Sequence, residues 1–439
     1  MSFESFFAVF LQKQGEIMLI EFKVANYRSF REEQTLSFVA SNTDKGVLPE
    51  NLIDLPLPGM SGLSYLKSIA LFGPNASGKS NLLLAFKNLC SFAANSSSIG
   101  VAPIPVEPFK LDADSKKCPT SFEITFVTEG IRYLFGLSVF QERVTEEYLI
   151  AYPKGLPQQW YHRHWDADKK EYDWDFKASF KKGRAALEKT TRPDATFLST
   201  GAQFEHEQLK TVRTWFEKIA SILYVGEEGL LNLTAQLLDA SVIDRKDVLA
   251  LLQAADLGIS DIRIKKEIVE GGTPNKYRTQ FSTYGPSGDY HTDYHIDYQP
   301  SFHHSGWQLP VVMKHQEESQ GTLNYFSILG PCLAALKHSR FEMIDELDAS
   351  LHPQLAEALI RFFNKQSKTS QLLFTTHNPF LLGNKVLRRD QVWFTEKDKT
   401  GASKLFPLTD FSPRKDEARV KAYMSGRYGA VPFLEEVLQ

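Results

Sequence analysis

Cysteine is scarce: Cys90, Cys118 and Cys332 are the only three in 439 residues. They are scattered without paired spacing, so neither a zinc site nor a disulfide framework is indicated, and a reducing cytosol fits. No apolar run reaches the length of a membrane span. The N-terminal "MSFESFFAVFLQ" is apolar but lacks a basic leader and a small-residue cleavage site, which argues against a signal peptide. "MLIEFKVANYRSF" from Met18 reads as a cleaner start, leaving residues 1–17 as an extension without a role. A formal net charge of −3 gives no global basic excess to announce nucleic acid. Neither an internal repeat nor a long heptad run is present, so no extended coiled coil is expected.

What the chain does contain is material for a core: 42% hydrophobic residues, 12% aromatic, with 32 Phe. Its length suits two or three domains, or one large domain carrying an insertion. Short alternating runs in 18–40 predict two strands, and "LKSIALF" (66–72) a strand running into Gly73. A helix is expected from Ser80. "SFEITFV", "IRYLFGLSVF" and "VTEEYLIAY" (121–152) predict an antiparallel sheet. Residues 153–195 read as hairpins and loops, 202–223 and 244–259 as helices, and 270–308 as turns between strands. From 322 onward the order is helix, strand (341–344), helix (353–365), strand (371–376), then a strand–turn–strand tail.

Chemistry concentrates first in "GPNASGKS" (73–80), which fits G-x-x-x-x-G-K-[ST] between a strand and a helix. Gly73, Pro74, Asn75, Ala76, Ser77 and Gly78 would wrap backbone N–H groups around phosphate oxygens. Lys79 would place its charge between the β- and γ-phosphates, and the Ser80 hydroxyl would ligate Mg²⁺. In "FEMIDELDASLHP" (341–353) an apolar strand ends in Asp345, placed to hold the metal through water, and Glu346, placed to polarise the attacking water. "LLFTTHNP" (372–379) adds His377 at the end of the following strand, within reach of a γ-phosphate. In "EESQGTLNYF" (317–326) a Ser and a Gly sit where a helix begins, and exposed N–H groups there attract anions.

In this order the pieces resemble ATP-binding-cassette ATPases of the Rad50, SMC and RecF type. That resemblance implies an α/β fold: an ABC-type P-loop ATPase head with an antiparallel β lobe, an inserted helical subdomain and no long coiled coil. It makes "ESQGT" the signature motif, so that Ser319, Gly321 and Thr322 would bind the γ-phosphate held by a second subunit. "ASLH" (349–352) becomes the D-loop, and "NYRSF" (26–30) places Arg28 and Ser29 near the nucleotide with Asn81. The Mg²⁺-sensing Gln would be Gln203 in "TGAQF". Lys79 and Asp345 are 266 positions apart, more than a compact cassette needs. The expected domains are therefore an extension (1–17), a first ATPase lobe with the phosphate loop and β subdomain (18–150), an insertion (151–310) and a second lobe (311–439).

"PFKLD" (108–112), "FLSTGAQF" (197–204), "LLQAADLGISDI" (251–262) and the tail "YMSGRYGAVPFL" (423–434) narrow the likeness to bacterial abortive-infection, RloA-like ATPases. It implies a cytoplasmic homodimer, or a higher even oligomer, that sandwiches ATP and Mg²⁺. It would control a separate nuclease effector, commonly of Toprim type, in anti-phage defence, with DNA or a phage protein as trigger and no membrane partner. About sixty residues follow His377, too few for a Toprim domain of the chain's own. Glu396, Asp398, Asp410, Asp416 and Glu417 there read as solvated loop charges, and Arg427 and Tyr428 as residues that could face a partner. A RecF-like DNA clamp and an ATP-binding scaffold with negligible turnover remain the alternatives.

Overall fold

The computed structural model describes residues 17–100, 102–180, 183–219, 222–255, 257–270, 279–284, 291–305, 311–383, 385–412 and 417–432. The expected N-terminal extension lies outside them except for its last residue. Two compact units emerge: Leu223–His338 with Glu346–Phe363 form one, and the rest of the described chain forms the other. They are called here the insert unit and the sheet unit.

The sheet unit holds two large sheets, besides a short antiparallel pairing of Leu52–Ile53 with Tyr65–Leu66. One is the antiparallel β lobe of seven strands: β1 (Ile17–Ala25), β2 (Gln34–Ser37), β4 (Thr120–Thr128), β5 (Ile131–Phe140), β6 (Arg143–Tyr152), β7 (Gln158–Asp166) and β8 (Glu171–Phe176). Their spatial order is β8-β7-β6-β5-β4-β1-β2. The other carries, in spatial order, β13 (Phe341–Asp345), β14 (Gln371–Thr375), β3 (Ser68–Phe72), β15 (Val392–Lys397) and β16 (Ser403–Pro407). The first four run parallel, and β16 closes a hairpin with β15. Every residue of β3, β13 and β14 is buried, as expected of strands covered on both faces.

The Gln371 side chain is one of those that join the two sheets. The Gln371 carboxamide accepts from Leu19 N at 2.7 Å and donates to Leu19 O and Leu66 O, both at 3.1 Å, as a peptide of a neighbouring strand would. Helix α1 (Lys79–Asn95) buries Leu82, Leu83, Phe86, Leu89 and Cys90. Phe86 packs against Phe22 of the lobe at 5.1 Å and against Phe341 of the parallel sheet at 5.3 Å.

The stretch 202–223, expected as one helix, breaks: 202–203 end one helix, 207–217 form another, and Ile222 opens a short strand, Ile222–Tyr224. Helix α3 (Phe197–Gln203) ends in a Schellman turn, with Glu205 at φ 58°, Glu205 N on Ala202 O and His206 N on Gly201 O. Helix α4 (Glu207–Glu217) follows. Helix α2 (Arg184–Thr190) lies in a segment expected as loop. A buried Arg163–Glu147 pair at 2.8 Å ties the lobe to these helices, because Glu147 also accepts from Phe197 N and Leu198 N at the start of α3.

The insert unit combines α5 (Glu228–Asp239), α6 (Arg245–Ala254), α7 (Gln320–His338) and the first turns of α8 (Pro353–Gln366) with an antiparallel sheet of β9 (Ile259–Glu270), β10 (Thr279–Tyr284), β11 (His291–His304) and β12 (Val311–Lys314). The insertion is thus not purely helical. The polar, aromatic 291–304 stretch is one fourteen-residue strand, since Tyr, Ile and Phe at alternate positions suit a pleated surface. At 244–259 the helix stops at Ala254, and Gly258 at φ 67° turns the chain into β9.

Helix α5 escapes hydrophobic periodicity because Asn232, Thr234 and Gln236 are buried on it. Thr234 has a definite task. Pro331 inside α7 has no N–H for the carbonyl four residues back, Ser327. Thr234 Oγ1 donates to that carbonyl at 2.6 Å, and Gly330 admits α5 because a Cβ there would collide with Thr234. Thr234→Val should leave a buried carbonyl unpaired and cost about 1–3 kcal/mol in denaturant unfolding. Thr234→Ser, which keeps the hydroxyl, should cost clearly less.

Candidate functional site

Parallel sheets present ligands to the carboxyl ends of their strands, and the expected nucleotide residues of the sheet unit gather there. Register pairs Leu71 of β3 with Thr375 of β14, and Phe374 with Ile344 of β13. The next residues onward are the phosphate loop, His377 and Asp345, so the three ends are level. Asp345 is buried, and Thr375 Oγ1 donates to its Oδ1 at 2.6 Å. Thr375 thus fixes one oxygen of the carboxylate that would have to hold a metal. Periodicity gave it no role; only its place at the end of the strand beside the acid could have flagged it.

The loop itself is conformationally demanding. Gly78 sits at φ 119° and Ala76 at φ 62°. Lys79 Nζ donates to Gly73 O at 2.8 Å and Pro74 O at 3.1 Å, which folds the ammonium over the mouth of the loop. Asn75, Ala76 and Ser80 are exposed, whereas Ser77 is buried. Ser29 Oγ accepts from Asn81 Nδ2 at 2.8 Å, so this end of "NYRSF" does meet the loop's helix. Arg28, also at positive φ, instead pairs with Glu107 at 2.8 Å.

A nucleotide triphosphate with Mg²⁺ fits this donor set. The glycines have no room for a Cβ, the lysine overhangs the loop, and Asp345 lies on the same edge as exposed Ser80. Among the described residues no group of three or more His, Cys, Asp and Glu forms a ready-made metal cage. One carboxylate with one hydroxyl is the pattern of a Mg²⁺ ligated largely by substrate phosphates and water.

Glu346 follows Asp345 directly, exposed and at φ 53°. A non-glycine residue held there costs of order 1–3 kcal/mol, and such strain gathers where function needs a fixed direction. His377 is likewise exposed. Thr376 N donates to Leu71 O at 3.1 Å and Thr376 Oγ1 accepts from Asn378 N at 3.0 Å, which anchors the turn on either side of His377.

Gln203 is placed elsewhere. Its helix docks through Thr196 and Ser199 onto Ser96 and Ser97, at the far end of α1. Seventeen residues of helix put that end about 25 Å from Ser80. The structure therefore separates Gln203 from the loop, and the metal-sensing role expected of it does not hold.

In the insert unit, Ser319 caps α7: its Oγ accepts from Thr322 N at 3.1 Å and pairs with Thr322 Oγ1 at 2.8 Å. Ser319 is exposed and Thr322 buried. A Cβ on Gly321 would come within 3.0 Å of Ser350 O, and Asn324 Nδ2 donates to Ala349 O at 3.1 Å. "ESQGT" and "ASLH" are thus one stitched corner with the helix N-terminus at its tip.

The tail explains itself inside the sheet unit. Tyr428 is fully buried rather than facing a partner: it stacks on Phe394 at 5.8 Å and donates to Glu417 at 2.7 Å. Arg427 pairs with the same Glu417 at 2.9 Å. Glu396 accepts from Ala430 N at 3.0 Å. Glu396 and Glu417 are therefore anchors for the tail and not solvated loop charges; Asp416 and the last residues of the tail motif lie outside the described residues.

Within β13, burial pushes the Glu342 carboxyl up to about 7, against the pull of neighbouring Arg340. A raised carboxyl stabilises the fold fully only below its unfolded value, near 4.5, and that stability is lost as pH rises through 7. Glu342→Gln should leave the melting temperature close to wild type near pH 4.5 and raise it by several degrees at pH 8. Parallel pH profiles of the two proteins check this.

The family model described as "AAA domain, putative AbiEii toxin, Type IV TA system" matches residues 68–383. Among solved structures the chain is similar to the SMC head domain from Thermotoga maritima, at 16% identity over 89% of this chain and 98% of that one, TM-score 0.42. It is also similar to a Smc head domain with an extended coiled coil bound to the C-terminal domain of ScpA derived from Pyrococcus furiosus, at 10% identity over 89% and 96%, TM-score 0.37. No curated protein matches it.

Proposed function

The chain belongs to that AAA-domain family, and on that premise we propose that it is an ATP-hydrolysing switch that dimerises around bound ATP. The observation that carries the reading is the meeting of the phosphate loop, Asp345 and His377 at one edge of the parallel sheet.

The residues divide the work. Loop N–H groups and Lys79 bind the β- and γ-phosphates. Ser80 and Asp345 would hold Mg²⁺, whose charge offsets that developing on the phosphates. Glu346, aimed by its left-handed backbone, orients the attacking water and takes its proton; His377 steadies the γ-phosphate from the next strand. The exposed Ser319 corner, with the partial positive charge of the α7 N-terminus, meets the γ-phosphate bound to a second copy. Those contacts exist only in the closed dimer, which gives ATP its differential affinity for that state and makes hydrolysis the opening step.

The family name, with its toxin and type IV toxin–antitoxin wording, supports a defence role. In it the dimer controls a separate nuclease effector, cytoplasmic like itself, when infection supplies DNA or a phage protein as trigger. Among the described residues no helix is long and apolar enough to cross a membrane.

Glu346→Gln should keep ATP affinity and accumulate as a dimer in ATP, seen by size-exclusion with light scattering, while Lys79→Ala should stay monomeric and lose nucleotide binding by calorimetry. A Glu346→Gln protein that remains monomeric in saturating ATP contradicts the sandwich. Ser319→Arg should bind ATP as the wild type does yet lose at least about tenfold of its turnover, the effect of blocking one charge-assisted contact in the transition state; unchanged turnover would remove action in trans.

A further inference from the structure

The two glycines of the phosphate loop are usually ascribed to the ligand they surround. In this protein their missing side chains also make room for protein. A Cβ on Gly73 would collide with the carbonyl and hydroxyl of Thr395 on β15, and a Cβ on Gly78 with the hydroxymethyl of Ser403 on β16. Between them lies Ser77. Its hydroxyl pairs with Thr395 Oγ1 at 2.6 Å, and its carbonyl accepts from Ser403 Oγ at 2.6 Å. Ser403 N also donates to Ser29 O at 2.7 Å, and Ser29 holds Asn81 on the first turn of α1. Ser77, Thr395 and Ser403 are all at most 2% exposed, so water does not replace these bonds.

We propose that Thr395 and Ser403 are positioning residues for the triphosphate, gripping the loop from behind through Ser77 so that its N–H groups already converge before the nucleotide arrives. This rests on the ATP reading of the loop and adds to it a specific source of preorganisation, which raises affinity by cutting the ordering cost of binding. Two hydroxyls on one hairpin hold one residue, Ser403 through the carbonyl of the Ser77–Gly78 peptide and Thr395 through the Ser77 hydroxyl, and the direction of the following N–H groups depends on that residue. The same hairpin carries the tail, since Glu396, next to Thr395, accepts from Ala430 N. Neither Thr395 nor Ser403 touches the phosphates; both act through the loop.

Calorimetry with ATP and ADP on the full chain tests this, together with steady-state hydrolysis and melting without nucleotide. Thr395→Val and Ser403→Ala should each weaken both nucleotides about tenfold, the scale of one lost buried hydrogen bond. KM should rise with kcat nearly unchanged, and Thr395→Ser, which keeps the hydroxyl, should return affinity to within about twofold of wild type. If Thr395→Val does not fold, Ser403→Ala decides alone. Wild-type affinity in Ser403→Ala, or a Thr395→Ser protein as weak as Thr395→Val, overturns the proposal. A wild-type protein that binds neither ATP nor ADP overturns the ATPase reading itself, and this inference with it.

Discussion

The whole arrangement depends on one constraint: a loop whose backbone must point several N–H groups at one place has to be held in conformations that L-residues avoid. Gly78 at φ 119° meets this by having no side chain, and Ala76 at φ 62° is the visible strain. Loops in such states persist only where the surroundings over-determine them. Here the surroundings are the buried strand β3 before the loop, the apolar face of α1 after it, and the β15–β16 hairpin behind it. The parallel sheet supplies rigidity through burial on both faces, and the Gln371 carboxamide ties that sheet to the antiparallel lobe.

The signature corner answers to a related constraint in its own unit. A helix that offers its N-terminus to an anion must leave the first N–H groups accessible while fixing the axis. Ser319 caps the turn, Gly321 lets the Ser350 carbonyl approach, and Asn324 holds Ala349. Deeper in the same helix, Thr234 meets the carbonyl that Pro331 cannot serve. The proline is tolerated because a neighbouring helix supplies the missing donor, and Gly330 is what lets that helix come close enough.

Much of this was legible in the residues. The motif Gly73–Ser80 with its flanking strand and helix, the strand ending at Asp345 and the helix start at Ser319 follow from local chemistry, because each is short and contiguous. The rest was hidden by distance or by polarity. Thr375, Thr395 and Ser403 are common residues whose value comes from partners up to 326 positions away. Helix α5 was obscured by its buried Asn232, Thr234 and Gln236. Gln203 looked usable from its neighbours in sequence, yet its helix attaches at the wrong end of α1. Tyr428 looked like a surface residue until β15 brought Phe394 beneath it.

The central claim is that ATP held by one copy is completed by the Ser319 corner of another. The direct measurement is a cryo-electron-microscopy or crystal structure of the protein in a slowly hydrolysed ATP analogue with Mg²⁺. The account predicts a dimer in which Ser319 and the N-terminus of α7 lie within hydrogen-bond distance of the γ-phosphate held at the other copy's Lys79. Nucleotide bound at Lys79 with Ser319 turned to solvent in every copy would contradict it.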